Sequence, residues 1–369
     1  MATPLKNYYN DRFFDFFSSV FSEVYTTFDG KKFKEQIYAG EWEKLELKER
    51  MRKTADVLAS MLPKDFKEAA QYIQAFADHY HASNRSGFGF ELMFVCDFVE
   101  RYGIDDVETA IQTMEKTTTL SSAEFAVRPF LNKYPERMMK QMNTWSKHPH
   151  ELVRRLSTEG FRPRLPWGLA VPYLKKDPSP VFEVLESLKD DASENVRRSV
   201  ANNLNDISKD HPEKVLEVLT RWKKNHPETE RVIKHASRTL LKQGHQEILE
   251  LFGSSSSEYL SFMLVDGLTS TIRVNEAQAF SFQIHHTGKT EQKIRVEYVI
   301  YFLLNNGKHG KKVFFITEKI LQPGQNIQLK KSHTFKPITT RTYYEGLHKM
   351  AVLVNGKEYG LGEFNLRFN

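Results

Sequence analysis

The sequence holds a single cysteine, Cys96, so no internal disulfide can form and a reducing compartment suits the chain. No apolar run reaches the length needed to cross a bilayer. The N-terminal MATPLKNYYNDRFF has neither the basic stretch nor the apolar core of a secretory signal. A cytoplasmic protein that does not enter membranes is therefore expected. HExxH, paired CxxC and the phosphate-binding loop are all missing, as is any plausible Ser-His-Asp grouping. Histidines such as His148, His150, His211 and His226 stand beside prolines at helix starts, as turn residues do. Neither a metal nor a cofactor is expected.

What is present suggests a globular protein of about two domains, with 369 residues, 40% hydrophobic and 27% charged. The net charge of +6 is unevenly spread: residues 1–120 carry 15 Lys and Arg against 20 Asp and Glu, residues 121–250 carry 23 against 18, and residues 258–369 carry 15 against 9. The acidic first third and basic remainder suit a polyanion partner for the later parts.

Residues 193–209, SENVRRSVANNLNDISK, read as a helix that breaks local rules. Val196, Val200, Leu204 and Ile207 recur at helical spacing. Asn202, Asn203, Asn205 and Asp206 nevertheless crowd its interior, and Asp206 lies near the C-terminus, where the helix dipole disfavours an anion. Arg198, Asn202, Asn205 and Asp206 share one face. Such violations inside a good helix point to a site, against the plainer alternative of a solvated face.

Around this stretch the chain repeats. PERMMKQMNTW (135–145), PVFEVLESL (180–188) and PEKVLEVLTRW (212–222) match as first helices, and each precedes a second helix at 150–160, 194–204 or 230–240. Helix pairs at this period predict a HEAT-like α-solenoid. In the second helices Arg155, Arg198 and Lys234 align, with Glu159, Asn202 and Arg238 one turn along. Stacked repeats would make this a mostly basic stripe suited to a phosphate backbone, or one used for capping and inter-repeat pairing. The insertion 161–180 carries Arg162, Arg164 and Trp167, and its prolines argue against a regular helix. Trp167 reads as a loop aromatic for recognition or as a plug in the core.

Upstream, helical patterns cover 7–28, 41–61, 64–80, 90–102 and 105–117, punctuated by Pro63, Gly103 and residues 83–89. Phe13, Phe17, Phe21, Val24 and Phe28 form the core stripe of the first. Ser121 and Glu124 have the spacing of a capping box, which by itself would explain Glu124. The helices end at Leu251. GSSSS (253–257) reads as a linker, and period-two patterns then start at 281, 294, 311, 327, 348 and 362. Asn306-Gly307 and Asn355-Gly356 are hairpin-turn signals. The expected architecture is mainly α: a HEAT-like α-solenoid over 1–252, a serine-rich linker over 253–257 and an immunoglobulin-like β-sandwich over 258–369. Lys308, His309, Lys311 and Lys312 flank one hairpin and could touch phosphates, with a solvated loop as the plainer alternative.

The segments SSAEFAVRPF, HPHELVRRLSTEGFRPRLPW and ANNLND, with PLKNYYN and the C-terminal sandwich, resemble AlkC-type DNA glycosylases of the HEAT-like AlkC/AlkD superfamily. The resemblance spans essentially the whole chain. It implies excision of N-alkylated bases, chiefly 3-methyladenine and 3-methylcytosine, from double-stranded DNA without flipping the lesion. It places the active-site acids on Glu124, Glu159 and Asp206 and the aromatic on Trp167. Arg128, Arg155, Arg162, Arg164, Arg198, Asn202, Lys234, Arg238 and the three sandwich lysines are the expected DNA contacts, in a monomer associated with the nucleoid. An inert binder of bent or branched DNA and a protein-binding HEAT scaffold remain open alternatives.

Overall fold

The computed structural model describes residues 4–83, 87–223, 226–254, 256–339 and 341–368. Ser255 of the serine stretch and part of the 83–89 punctuation lie outside the described residues. The chain begins with α1 (Asp11–Val24), α2 (Gly30–Tyr38), α3 (Leu47–Met61), α4 (Phe66–Ala82), α5 (Met93–Tyr102) and α6 (Val107–Thr117). Asn10 starts α1 by accepting from the Phe13 amide at 3.1 Å, and Phe13, Phe17 and Phe21 form its buried stripe. The 7–28 pattern is thus a single-turn 3₁₀ helix followed by α1. The sequence pattern does not reveal α2. It is short and lysine-rich, buries only Phe33 and Ile37, and is started by Asp29 capping the Lys32 amide at 2.9 Å.

The repeats follow as α7 (Val127–Lys133), α8 (Pro135–Trp145), α9 (Glu151–Glu159), α10 (Pro172–Lys176), α11 (Ser179–Leu188), α12 (Glu194–Ile207), α13 (Pro212–Trp222), α14 (Pro227–Ala236), α15 (Arg238–Gln243) and α16 (Gln246–Leu251). The second helices α9, α12 and α14 pack in succession, as the superposition requires. The first helices α8 and α13 end in buried tryptophans that donate to acids of earlier helices, Trp145 to Glu115 at 2.8 Å and Trp222 to Glu186 at 2.7 Å. The insertion is not wholly irregular, because Pro172 opens the short α10 from its N-terminal position, where proline costs no hydrogen bond. The expected helix over 230–240 is interrupted at Ser237, so Arg238 starts α15 and is not one turn beyond Lys234 in a continuous helix.

Two compact units emerge. One runs through His211 and includes Trp222–Ala236. The other joins Pro212–Arg221 to Ser237–Asn369. In the second unit, strands β1 (Leu260–Asp266), β2 (Thr271–Arg273), β3 (Ala277–His286), β4 (Gln292–Leu303), β5 (His309–Leu321), β6 (Asn326–Thr334), β7 (Gly346–Val354) and β8 (Lys357–Arg367) form two sheets, ordered β1-β3-β6 and β2-β8-β7-β4-β5. Phe280, Phe282, Tyr298, Val352 and Phe364 are part of the core they share. Asn355 and Gly356 both take positive φ, 48° and 79°, in the two-residue turn joining β7 to β8. Helix α15 packs on β5, while Ser254 is buried and Ser256 O accepts from Gln292 and Asn355. The described part of the serine stretch is therefore held against the sandwich.

Candidate active site

The site is built where α9, the loop after it and α12 meet. Asp206, in the last turn of α12, is 2% exposed, and Asn203 and Asn205 are buried with it. The C-terminal part of this helix face is therefore interior and not solvated, while Arg198 and Asn202 nearer its start keep some exposure. Asn203 Nδ2 donates to Thr158 O at 2.8 Å and so ties α12 to α9. The dipole penalty at Asp206 is met by two cations: Lys209 Nζ donates to Oδ1 at 2.9 Å and Arg162 Nε to Oδ2 at 2.7 Å. Arg162 Nη1 donates to Glu159 Oε1 at 2.6 Å, and Ser199 Oγ donates to Glu159 Oε2 at 2.5 Å. Burial opposes the charge on Arg162, but Glu159 and Asp206 outweigh it and raise the guanidinium pKa above its ordinary value.

Glu124 lies on the turn before α7 and not within a helix. Helix α7 starts after Ala126 with no side-chain cap, so the capping box is absent. Instead Glu124 Oε2 accepts from Arg155 Nη1 at 3.0 Å and from Ser122 Oγ at 2.8 Å. Among the described residues no donor engages its Oε1. Arg155 Nη2 also lies 3.8 Å from Glu159 Oε2. Glu124, Glu159 and Asp206 thus face Arg155, Arg162 and Lys209, three anions against three cations.

Trp167 stands at the rim, 69% exposed, which rules out a core plug. Its φ is +63°. Gly168 N donates to Leu165 O at 3.2 Å, so Leu165-Pro166-Trp167-Gly168 forms a type II turn with tryptophan where glycine normally sits. A Cβ on Gly168 would lie 2.8 Å from Leu165 Cδ2 and 3.0 Å from Arg128 Cδ, so a side chain there would have to displace them. Glu124, Glu159, Arg162 and Trp167 line one pocket of about 390 Å³, whose apolar walls include Phe90, Met93, Phe125 and Leu165. Asp206 is not part of its lining and sits behind Arg162.

Residues 93–246 match the family described as DNA alkylation repair enzyme, and residues 265–368 match the C-terminal Ig-like domain described for uncharacterised protein YhaZ. The uncharacterized protein YhaZ of Bacillus subtilis (strain 168) is 40% identical over 353 residues, 96% of each chain. The alkylpurine DNA glycosylase AlkC of Pseudomonas fluorescens, solved bound to DNA containing an abasic site analog, is 34% identical with a TM-score of 0.90, over 99% of this chain and 100% of that one. The chain belongs to the AlkC-type family of DNA glycosylases. Its solenoid of helix pairs and its immunoglobulin-like sandwich are those of that family.

In this AlkC-type chain several expected DNA contacts are internal or already paired within the protein. Arg128 is fully buried and donates to Gly160 O at 2.9 Å, to Arg162 O at 2.8 Å and to Leu169 O. Burial, with Arg162 adding to it, lowers its pKa to about 10. It organises the loop and cannot reach a phosphate. Arg162 is likewise taken by its two carboxylates. Arg155 is committed to Glu124, and Arg164 forms a two-pronged pair with Asp210 at 2.9 and 2.6 Å. Arg198 and Lys234 are exposed, as are Lys308, Lys311 and Lys312, while Asn202 and Arg238 are half-buried. Lys311 lies 3.7 Å from Glu358. Sequence reasoning missed Lys48, Ser122, Phe125, Ser199 and Lys209. Only Lys209, three residues after Asp206, had a legible signal in its helical spacing.

Proposed function

We propose that the protein is a monofunctional DNA glycosylase that hydrolyses the N-glycosidic bond of cationic alkylated bases, 3-methyladenine and 3-methylcytosine, in double-stranded DNA. The lesion is attacked without being flipped into a pocket, and the enzyme works as a monomer on the nucleoid in the cytoplasm. The observation that carries this reading is the pair of buried carboxylates on one guanidinium, Glu159 and Asp206 on Arg162, beside a third carboxylate and an exposed tryptophan.

An N3-alkylated base already bears positive charge and leaves neutral, so leaving-group protonation contributes little. The barrier lies in the oxocarbenium-like sugar. Preorganised carboxylates in a partly dry site stabilise that charge without reorganising at the moment of reaction. Glu159 and Asp206 have both oxygens engaged and act as fixed charges. Glu124 keeps Oε1 for the attacking water, which it orients or deprotonates. The Trp167 indole face adds cation–π attraction. No step of this reaction requires a lysine nucleophile, so amine-dependent strand cleavage is not expected. The test is incubation with methylated duplex DNA and identification of the products. Free 3-methyladenine and an intact strand bearing an abasic site are expected. Duplex binding without base release would leave an inert binder, and no binding would leave a scaffold.

A further inference from the structure

We infer that Lys48 is a positioning residue that straps the Trp167 turn across the pocket. The inference rests on the glycosylase reading for its kinetic consequence, but not for its structural one. Lys48 sits in the first turn of α3, 119 residues before Trp167, and its Nζ donates to Trp167 O at 2.6 Å. The same ammonium lies over the Phe125 ring, 5.1 Å from its centroid, and Phe125 directly follows Glu124. One side chain therefore touches both walls of the pocket, the wall that carries the indole and the wall that carries the water-orienting carboxylate.

The turn needs such a strap. A non-glycine residue holds a left-handed backbone only where its surroundings over-determine it. Three side chains take carbonyls of this loop: Lys48 takes Trp167 O, Arg128 takes Leu169 O and Asn132 Nδ2 takes Ala170 O at 3.0 Å. Arg128 and Asn132, both on α7, hold the segment after the turn, and Arg128 also takes Arg162 O before it. Lys48 acts on the tryptophan's own peptide and comes from a different helix. Without it the indole would sample other positions over the pocket while the loop beyond stayed in place.

The experiment uses the full chain labelled with 5-fluorotryptophan. Trp42, Trp145 and Trp222 are buried, at 3%, 0% and 0% exposure, so the solvent-sensitive ¹⁹F resonance is that of Trp167, and Trp167→Phe assigns it. Lys48→Met is expected to shift or broaden that resonance alone. It should lower the single-turnover excision rate at saturating protein roughly tenfold or more, the scale of a misplaced positioning contact. DNA affinity should hold, and Lys48→Arg should recover much of both signals. A Trp167 resonance unmoved by Lys48→Met overturns the inference. So does a variant that loses affinity and salt dependence at an unchanged rate, the behaviour of a phosphate contact. If the wild-type protein releases no base, the glycosylase reading fails and the resonance still decides the strap.

Discussion

Arg162 Nε donates to Asp206 Oδ2 at 2.7 Å, with both side chains buried, and so ties the loop after α9 to the last turn of α12. The second carboxylate on this guanidinium, Glu159, makes Arg162 the counter-charge on which the site is assembled. Arg162→Met would leave two buried carboxylates poorly compensated. It is expected to lower stability by about 3–5 kcal/mol, the cost of breaking a buried ion pair from one side. Arg162→Lys keeps the charge but cannot serve both acids in the same geometry, and should recover stability better than excision. Denaturant titration and single-turnover excision read the two effects separately.

Trp167→Gly should separate stability from function. Relief of the left-handed backbone is worth about 1–2 kcal/mol, offset by about 0.5–1 kcal/mol of glycine backbone entropy. The indole is mostly exposed, so little packing is lost. The melting temperature should stay constant or rise while excision falls. A marked drop in melting temperature would show that the indole supports the fold.

The basic stripe divides in two. Arg198→Ala and Lys234→Ala, on exposed positions of α12 and α14, should each weaken binding to damaged and undamaged duplex alike and make the salt slope shallower by roughly one unit. Arg155→Ala should barely alter the slope but should impair excision, because its guanidinium holds Glu124. Equal slope changes in all three would contradict this division.

A pH effect comes from α5. Burial, then the charge of Asp97, pushes Glu100 from 4.5 up to about 7, and burial pushes Asp97 up to about 6 with neither carboxylate oxygen hydrogen-bonded. A raised acid favours folding fully below its unfolded pKa, and that contribution is lost as pH rises through the folded value. Glu100→Gln should therefore gain on the order of 1–3 kcal/mol relative to wild type between pH 5 and pH 8, read from denaturant midpoints at the two values. An unchanged difference would mean that Glu100 titrates normally.

The repeats, the strand-rich C-terminal third and both Asn-Gly turns were legible because each rests on local periodicity or on a turn that demands positive φ. Asp206 was legible for the opposite reason, as a residue set against helix propensity and dipole. The functions of the arginines were not legible. Arg128, Arg155 and Arg162 are among the expected phosphate contacts, whereas their partners are carbonyls and carboxylates 31 to 44 residues away, or three in the case of Glu159. The capping-box spacing at Ser121 misled because tertiary pairing of Glu124 with Arg155 outweighs a local cap. The compact division of the chain also depends on long-range contacts, which assign α15 and α16 to the same unit as the strands.

The most direct test of the account is the single-turnover rate of 3-methyladenine release from duplex DNA by Glu124→Gln, measured at saturating protein beside the wild type. Glutamine keeps the size and can still accept from Arg155 and Ser122, but it removes the charge and the base at Oε1. The rate is expected to fall by about 10²–10³-fold with DNA affinity and melting temperature nearly unchanged, the scale of a lost transition-state interaction. Release at the wild-type rate would contradict the role given to Glu124.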